Sequence, residues 1–422
     1  MNLFNPVCGK AEKVVVLLNR VLEMAGGLVF LKLLTFIASK EVLGIYFLAN
    51  SLITLLLTIS FSALSQGVLR NVAGYIQDNV MAIKYTALNV LFLCIAPFFA
   101  WLFLTLGYNF KLFDSLEPLK LLLILWFTSD ALKILNNSVA LALRKRYLNL
   151  IIIALDCTIK IGSLLFYSFI FEVNSVSLIL YIYICSSFSV FLFHLFVNKN
   201  WISPIPFKVI KFSLTESLNF AWPLMIWGAF GWTQNMFGRW LLAKYHTTES
   251  VADFGIIMSL GTTPILAIFG VLTNYYTPII YSFNDPKSSF TYLAKLCIKV
   301  MAFIILVTIM INWQSDNYIQ FMTSDKYTSY SNYLFLVSTG TASVNLGIIL
   351  SSCLLVIRKP SWLILPNILP GICTIFAGIY IVPHYGVLGA IYIYLFSCLL
   401  GTILHVGIYF YSLNNIYYGR EY

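Results

Sequence analysis

Charge is what this sequence has least of. Asp, Glu, Lys and Arg make up 10% of its 422 residues, against about 25% in soluble globular domains. A soluble domain of this size is therefore excluded. The motifs of common enzyme classes are missing as well. The four histidines (His194, His246, His384 and His405) are scattered and form no HExxH. No GxSxG and no Walker sequence occurs, so neither a serine hydrolase nor a nucleotide-driven pump is indicated. The eight cysteines (Cys8, Cys94, Cys157, Cys185, Cys297, Cys353, Cys373 and Cys398) show no CxxC or Cys/His spacing. They imply no disulfide framework and no metal site, and read as small apolar side chains.

What is present is apolar. Hydrophobic residues reach 60%, in runs longer than 20 residues that do not alternate, so helices rather than a barrel span the bilayer. The predicted fold class is an all-α polytopic membrane protein with about twelve transmembrane helices. The spans are read at about 14–38, 44–69, 82–106, 118–143, 147–171, 176–197, 214–243, 253–281, 290–312, 330–357, 361–382 and 387–411. The first is too long for a signal-peptide core and carries Arg20 and Glu23, so it is expected to stay as a span.

Loop charge gives the orientation. The N-terminus, the even-numbered connections and the C-terminal tail hold fifteen bases and five acids; the odd-numbered connections hold five bases and eight acids. The difference, +10 against −3, places both termini in the cytoplasm. The remaining +3 of the overall +10 lies within the spans. The bases are spread over seven short loops, which argues against a nucleic-acid partner.

The chain reads as two halves. GIYFLANSL from Gly44 has a counterpart in ADFGIIMSL from Ala252, at an offset of 208. The basic turn Arg144-Lys145 after span four matches Arg358-Lys359 after span ten, at an offset of 214. The expected organisation is an N-terminal bundle 1–197, a cytoplasmic linker 198–213 and a C-terminal bundle 214–422. Two pseudo-repeated six-helix bundles around a central cleft form a transporter architecture, whose substrates bind near the bilayer midplane.

Within the spans, the N-terminal half carries Arg20/Glu23 and Asp130/Lys133 at i, i+3 and Asp156/Lys160 at i, i+4. Each pair shares one helix face. At 1.5 Å per residue, Asp130 lies about 21 Å and Asp156 about 15 Å from the basic turn 144–146, at or beyond the middle of a ~30 Å hydrocarbon layer. Ionisable groups at that depth mark a binding site or pathway, or neutralise one another so that the helices can insert. The offset of 214 sends Asp130, Lys133, Asp156 and Lys160 to Val344, Gly347, Pro370 and Thr374, so the second half has no counterpart. Span seven, AWPLMIWGAFGWTQNMFGRW, is the second unusual stretch. Trp227, Trp232, Gln234 and Asn235 suit a sugar, which packs its C–H face on a ring and hydrogen-bonds amides. Arg239 could hold a phosphate near the outer end, snorkel to the interface or pair with Asp253.

The stretch GIYFLANSLITLLLTISFSALSQGVLR, Gly44 to Arg70, resembles the second span of polysaccharide-type transporters of the multidrug/oligosaccharidyl-lipid/polysaccharide exporter superfamily. There a Gly-x-Tyr turn opens the span and an Arg closes it. The chain is most similar to the O-antigen flippases of the bacterial inner membrane. That resemblance implies a non-enzymatic carrier of undecaprenyl-diphosphate-linked oligosaccharide, working by alternating access in lipopolysaccharide or other polysaccharide biosynthesis. It implies no cofactor beyond a coupling ion (H+ or Na+). The implied partners are the lipid-linked oligosaccharide, membrane lipid and polysaccharide polymerase or chain-length proteins. By depth, Arg20, Lys133, Lys160 and Arg239 would neutralise the diphosphate, with Glu23, Asp130 and Asp156 balancing charge or binding the ion. The competing readings are an ion-coupled drug or metabolite antiporter of the same superfamily and a membrane polysaccharide polymerase. The antiporter predicts acid-dominated spans. The polymerase predicts a large outer loop with Arg or His, which the connection near 313–329 lacks.

Overall fold

A computed structural model describes residues 10–67, 80–109, 114–143, 145–170, 175–199, 207–282, 286–356 and 360–417. Residues 200–206 of the expected linker, Cys8, Arg70, Arg144 and the Arg358-Lys359 turn lie outside them. Among the described residues there is no strand. The long helices are α1 (Lys10–Ile37), α2 (Lys40–Thr58), α3 (Val80–Asn109), α4 (Lys120–Ala142), α5 (Arg146–Ile170), α6 (Val176–Val197), α7 (Phe207–Tyr245), α8 (Thr248–Ser282), α9 (Pro286–Trp313) and α10 (Leu334–Ser351). The last element, Leu365–Tyr417, is two helices joined at Gly386, here α11 (365–385) and α12 (387–417). Gly386 has φ +55° and ψ −132°, a conformation open to glycine and strained for any residue with a Cβ. Among the described residues this makes twelve long helices, in line with the twelve predicted spans. Nine of the described elements are long and apolar enough to cross a membrane, the Leu365–Asn414 element among them. α4 and α7 are not among these nine; both carry more polar side chains.

The two halves repeat in register. Ser39 caps α2, its Oγ accepting from the Val42 amide at 3.3 Å. Thr247, 208 residues later, precedes α8, and its Oγ1 accepts from the Ser250 amide at 3.2 Å. A hydroxyl at this position satisfies a backbone donor that the helix itself cannot. α4 begins at Lys120 and α10 at Leu334, the offset of 214 read from the basic turns. The chain forms two compact units, Met1–Ala229 and Phe230–Tyr422.

In the first unit α4 packs against α2, α3, α5 and α6, and α1 lies along α5. The core is aromatic: Phe61 meets Phe92 at 4.6 Å and Phe127 at 5.5 Å between ring centroids, both edge-on. Buried amides are satisfied between helices. Tyr85 Oη donates to Asn136 Oδ1 at 2.5 Å, and Asn136 Nδ2 to Asn89 Oδ1 at 2.8 Å. At the basic turn, burial pulls Lys145 below the ordinary lysine pKa, and its Nζ donates to Asn198 Oδ1 at 3.4 Å. The contact of α1 with α5 is close because Gly26 has no side chain; a Cβ there would lie 2.3 Å from Cys157 Sγ. Gly26→Ala is therefore expected to cost about 1–3 kcal/mol through overpacking. Part of that should return in the Gly26→Ala/Cys157→Ala double variant, as checked by thermal unfolding in detergent. Equal losses in the single and double variants would refute the steric account.

In the second unit α10 packs along the Leu365–Tyr417 element, its glycines meeting α12, and against α8 and α9. Small residues set this approach, as in other membrane helix pairs: a Cβ on Gly347 would lie 3.0 Å from the His405 Cβ and 3.3 Å from the Thr402 backbone. Phe290 and Tyr409 stack at 5.3 Å, and Tyr409 Oη donates to the Phe290 carbonyl at 3.1 Å. Of the described cysteines, Cys297, Cys353 and Cys398 are buried and none is disulfide-bonded; Cys94 and Cys185 are exposed.

Candidate functional site

Asp156 is the centre of an ionic cluster built by α4, α5 and α6. Lys133 Nζ on α4 reaches Asp156 Oδ1 at 2.8 Å, and Lys160 Nζ, one turn along α5, reaches Oδ2 at 2.9 Å. Ser186 on α6 donates to the same Oδ1 at 2.5 Å. All three charged side chains are only 16–17% exposed. Ser187, the next residue, donates to Asp130 Oδ1. The helical period explains the convergence. Residues three and four apart share a face, so 130 with 133, 156 with 160, and 183 with 186 and 187 each project together.

The pairing differs from the sequence expectation in one respect. Lys133 was expected to pair with Asp130 in its own helix, but it bridges to Asp156 on the neighbouring helix, while Asp130 takes the Ser187 hydroxyl. An i, i+3 pair constrains both partners to one helix surface. Packing brings α5 within reach, and a single carboxylate with two oxygens accepts both ammonium groups. The cluster holds two lysines and two aspartates and is formally neutral, a condition that lowers the cost of placing charge among apolar helices.

Aromatic rings close one side. Lys160 Nζ sits 4.6 Å from the centroid of the Tyr183 ring, within cation–π range. Tyr183 Oη and Tyr46 Oη lie 2.6 Å apart. Tyr183 also packs on Trp126 at 4.8 Å and Phe30 at 5.6 Å. Tyr46, Tyr183, Ser186 and Ser187 were not anticipated from sequence. Hydroxyls in membrane helices are common, so type alone gave no signal; the one available hint was the adjacent pair Ser186-Ser187 inside an otherwise apolar run.

The other predicted residues fall elsewhere. Arg20 Nη1 pairs with Glu23 Oε2 at 2.9 Å, as expected, with side chains 43% and 58% exposed. Glu23 lies three residues, or about 4.5 Å of helix rise, before Gly26, which abuts Cys157 beside Asp156. The exposed pair thus sits on α1 near the axial level of the cluster. In α7 the expected sugar face is divided. Trp227 is exposed, and Trp232 is half-buried. Gln234 is buried, its Nε2 donating to Cys398 Sγ at 3.5 Å, while exposed Asn235 donates to its own helix at Gly231 O, 2.7 Å. Arg239 is only 4% exposed, which removes the reading of a side chain snorkelling to the surface. Among the described residues no group of His, Cys, Asp and Glu could hold a metal ion.

The cluster suits ligand exchange. An anionic oxygen can replace Asp156 on either lysine, and a proton or cation on Asp156 would release both.

No protein-family model matches the chain, and no curated protein matches it. Solved structures do. An inward-facing multidrug resistance MATE family transporter of the MOP superfamily superposes with a TM-score of 0.67 at 15% identity, over 96% of this chain and 94% of that one. The lipid II flippase MurJ in an inward closed conformation gives 0.68 at 15% identity, over 96% and 88%. A MOP superfamily transporter from Pyrococcus furiosus, described as having a binding pocket of reverse polarity, gives 0.67 at 14%, over 97% and 95%. These neighbours are transporters and flippases rather than enzymes. At such identities the likeness speaks for architecture, and over nearly the whole chain it is the same one: an all-helical, multi-pass membrane protein with the two-lobed fold of the MOP-superfamily transporters.

Proposed function

We propose that the protein is a flippase. It translocates an undecaprenyl-diphosphate-linked oligosaccharide, an O-antigen or similar repeat unit, from the cytoplasmic to the periplasmic leaflet by alternating access. The observation that carries this reading is the pair of lysines, Lys133 and Lys160, held in an apolar bundle by one exchangeable carboxylate. A diphosphate offers several anionic oxygens and can take both ammonium groups from Asp156. Arg20 and Arg239 would add positive charge along the path. Asp130, Asp156 and Glu23 would balance the bases in the empty state or bind H+ or Na+. The setting is the bacterial inner membrane, with both termini cytoplasmic and polysaccharide polymerase or chain-length proteins downstream. Sugar contacts from Trp227 and Trp232 remain part of the reading, whereas the bonds of Gln234 and Asn235 within the protein weaken their candidacy.

The deciding experiment is deletion followed by sidedness analysis of the accumulated lipid-linked oligosaccharide. Single units trapped on the cytoplasmic face are expected; units trapped on the outer face would sink the flippase reading in favour of a polymerase. The ion-coupled antiporter is the second reading: Asp130 and Asp156 would be its cation ligands, against a cluster that Lys133 and Lys160 hold neutral rather than acidic. That reading predicts a deletion strain with intact surface polysaccharide and increased drug sensitivity.

A further inference from the structure

The connection between α9 and α10 contains a short helix, Ser315–Met322, that belongs to none of the spans. The chain leaves α9 at Trp313 and turns at Gln314, whose φ of −131° and ψ of 48° are not helical. One side of the short helix is fixed to the protein. Ser315 and Ile319 are buried. Tyr318 Oη donates to the Leu260 carbonyl at 3.4 Å, and Asp316 accepts from Ser331. Gln320 Nε2 donates to Asp325 Oδ1 at 2.5 Å.

The other side is open. Met310, Ile311, Gln314, Asn317, Tyr318 and Phe321 line a groove of about 420 Å³. Met310 and Ile311 come from the last turn of α9, Gln314 from the turn, and Asn317, Tyr318 and Phe321, three and four apart, from one face of the short helix. The groove continues a stripe on α9: Leu306, Ile309, Met310 and Trp313 are 52–82% exposed. A stripe of that composition on a membrane span faces acyl chains. Its end at Trp313 marks the hydrocarbon–water boundary, where tryptophan is enriched, and an amphipathic helix at that level rests in the interface. The groove is therefore apolar at Met310, Ile311 and Phe321 and amide-bearing at Gln314 and Asn317. No side chain in it is charged.

We infer that this groove is a binding site for one membrane glycerophospholipid. An acyl chain lies on Met310, Ile311 and Phe321, the ester and phosphate oxygens lie on the Gln314 and Asn317 amides, and the net headgroup charge is not read. The site is independent of the ionic cluster and of the cargo proposed for it.

The test is native mass spectrometry of the full chain released from nanodiscs containing equal amounts of phosphatidylethanolamine and phosphatidylglycerol. One retained phospholipid is expected, with either headgroup. In Asn317→Ala and Phe321→Ala, the retained fraction should fall about tenfold, the equivalent of ~1.4 kcal/mol of binding. Both side chains are exposed, so the variants should melt with the parent. A nitroxide on Asn317→Cys gives a second measure and should report interfacial depth from its oxygen and nickel-chelate accessibilities. Unchanged retention, retention of phosphatidylglycerol alone, a fully aqueous nitroxide, or a disulfide-linked dimer through Asn317→Cys in place of bound lipid would each overturn the assignment.

Discussion

Asp156→Ala is expected to be the most damaging single substitution in the first lobe, lowering stability by about 3–5 kcal/mol. The side chain is 16% exposed and accepts from Lys133, Lys160 and Ser186. Removing it leaves two ammonium groups in an apolar bundle with no carboxylate between them. Asp130 is the remaining acid of the cluster, already engaged by Ser187. The cost arises from uncompensated charge rather than from lost attraction, because desolvation offsets most of what a buried ion pair gains. A triple variant, Asp156→Leu with Lys133→Met and Lys160→Met, should therefore recover most of the stability while remaining inactive. Thermal unfolding in detergent separates these cases. An Asp156→Ala protein as stable as the parent would show that the cluster does not hold the bundle together. If the triple variant is no more stable than Asp156→Ala, uncompensated charge is not the cause.

The second large effect concerns transport. Lys133→Ala and Lys160→Ala should each lower surface polysaccharide at least tenfold at normal expression, about 1.4 kcal/mol or more of lost stabilisation of the cargo. The two should not behave alike towards arginine. Lys160 lies over the Tyr183 ring, an arrangement that a guanidinium also satisfies, so Lys160→Arg should keep partial function. Lys133 approaches a carboxylate oxygen that Ser186 also occupies, with no aromatic ring over it among the described residues. A compact ammonium fits there and a planar fork does not, so Lys133→Arg should fail. Full polysaccharide in both alanine variants would remove the diphosphate site from this cluster. If drug sensitivity rises instead, the antiporter becomes the better reading.

The twofold pattern was legible along the chain. Helix starts at Lys40 and Thr248, and at Lys120 and Leu334, repeat at the offsets visible in GIYFLANSL/ADFGIIMSL and in the two basic turns. Such features are local: hydroxyl caps, loop charge and apolar length act within a few residues, so sequence carries them. The division of α7 was not legible. Trp227, Gln234 and Asn235 look equivalent along the helix, and only packing buries Gln234 against Cys398 while leaving Asn235 outside.

By itself the sequence determined an all-helical membrane chain in two repeated halves, with acid–base pairs at helical spacing within the first half's spans. Those conclusions follow from transfer free energies and helical rise, which need no neighbours. Tertiary structure decided which charges meet. Lys133 left its own helix's Asp130 for Asp156, and Ser186, Ser187 and Tyr183 entered from α6. These contacts join positions 23 to 57 residues apart. They depend on how helices pack side by side, a property that no periodicity within one helix encodes.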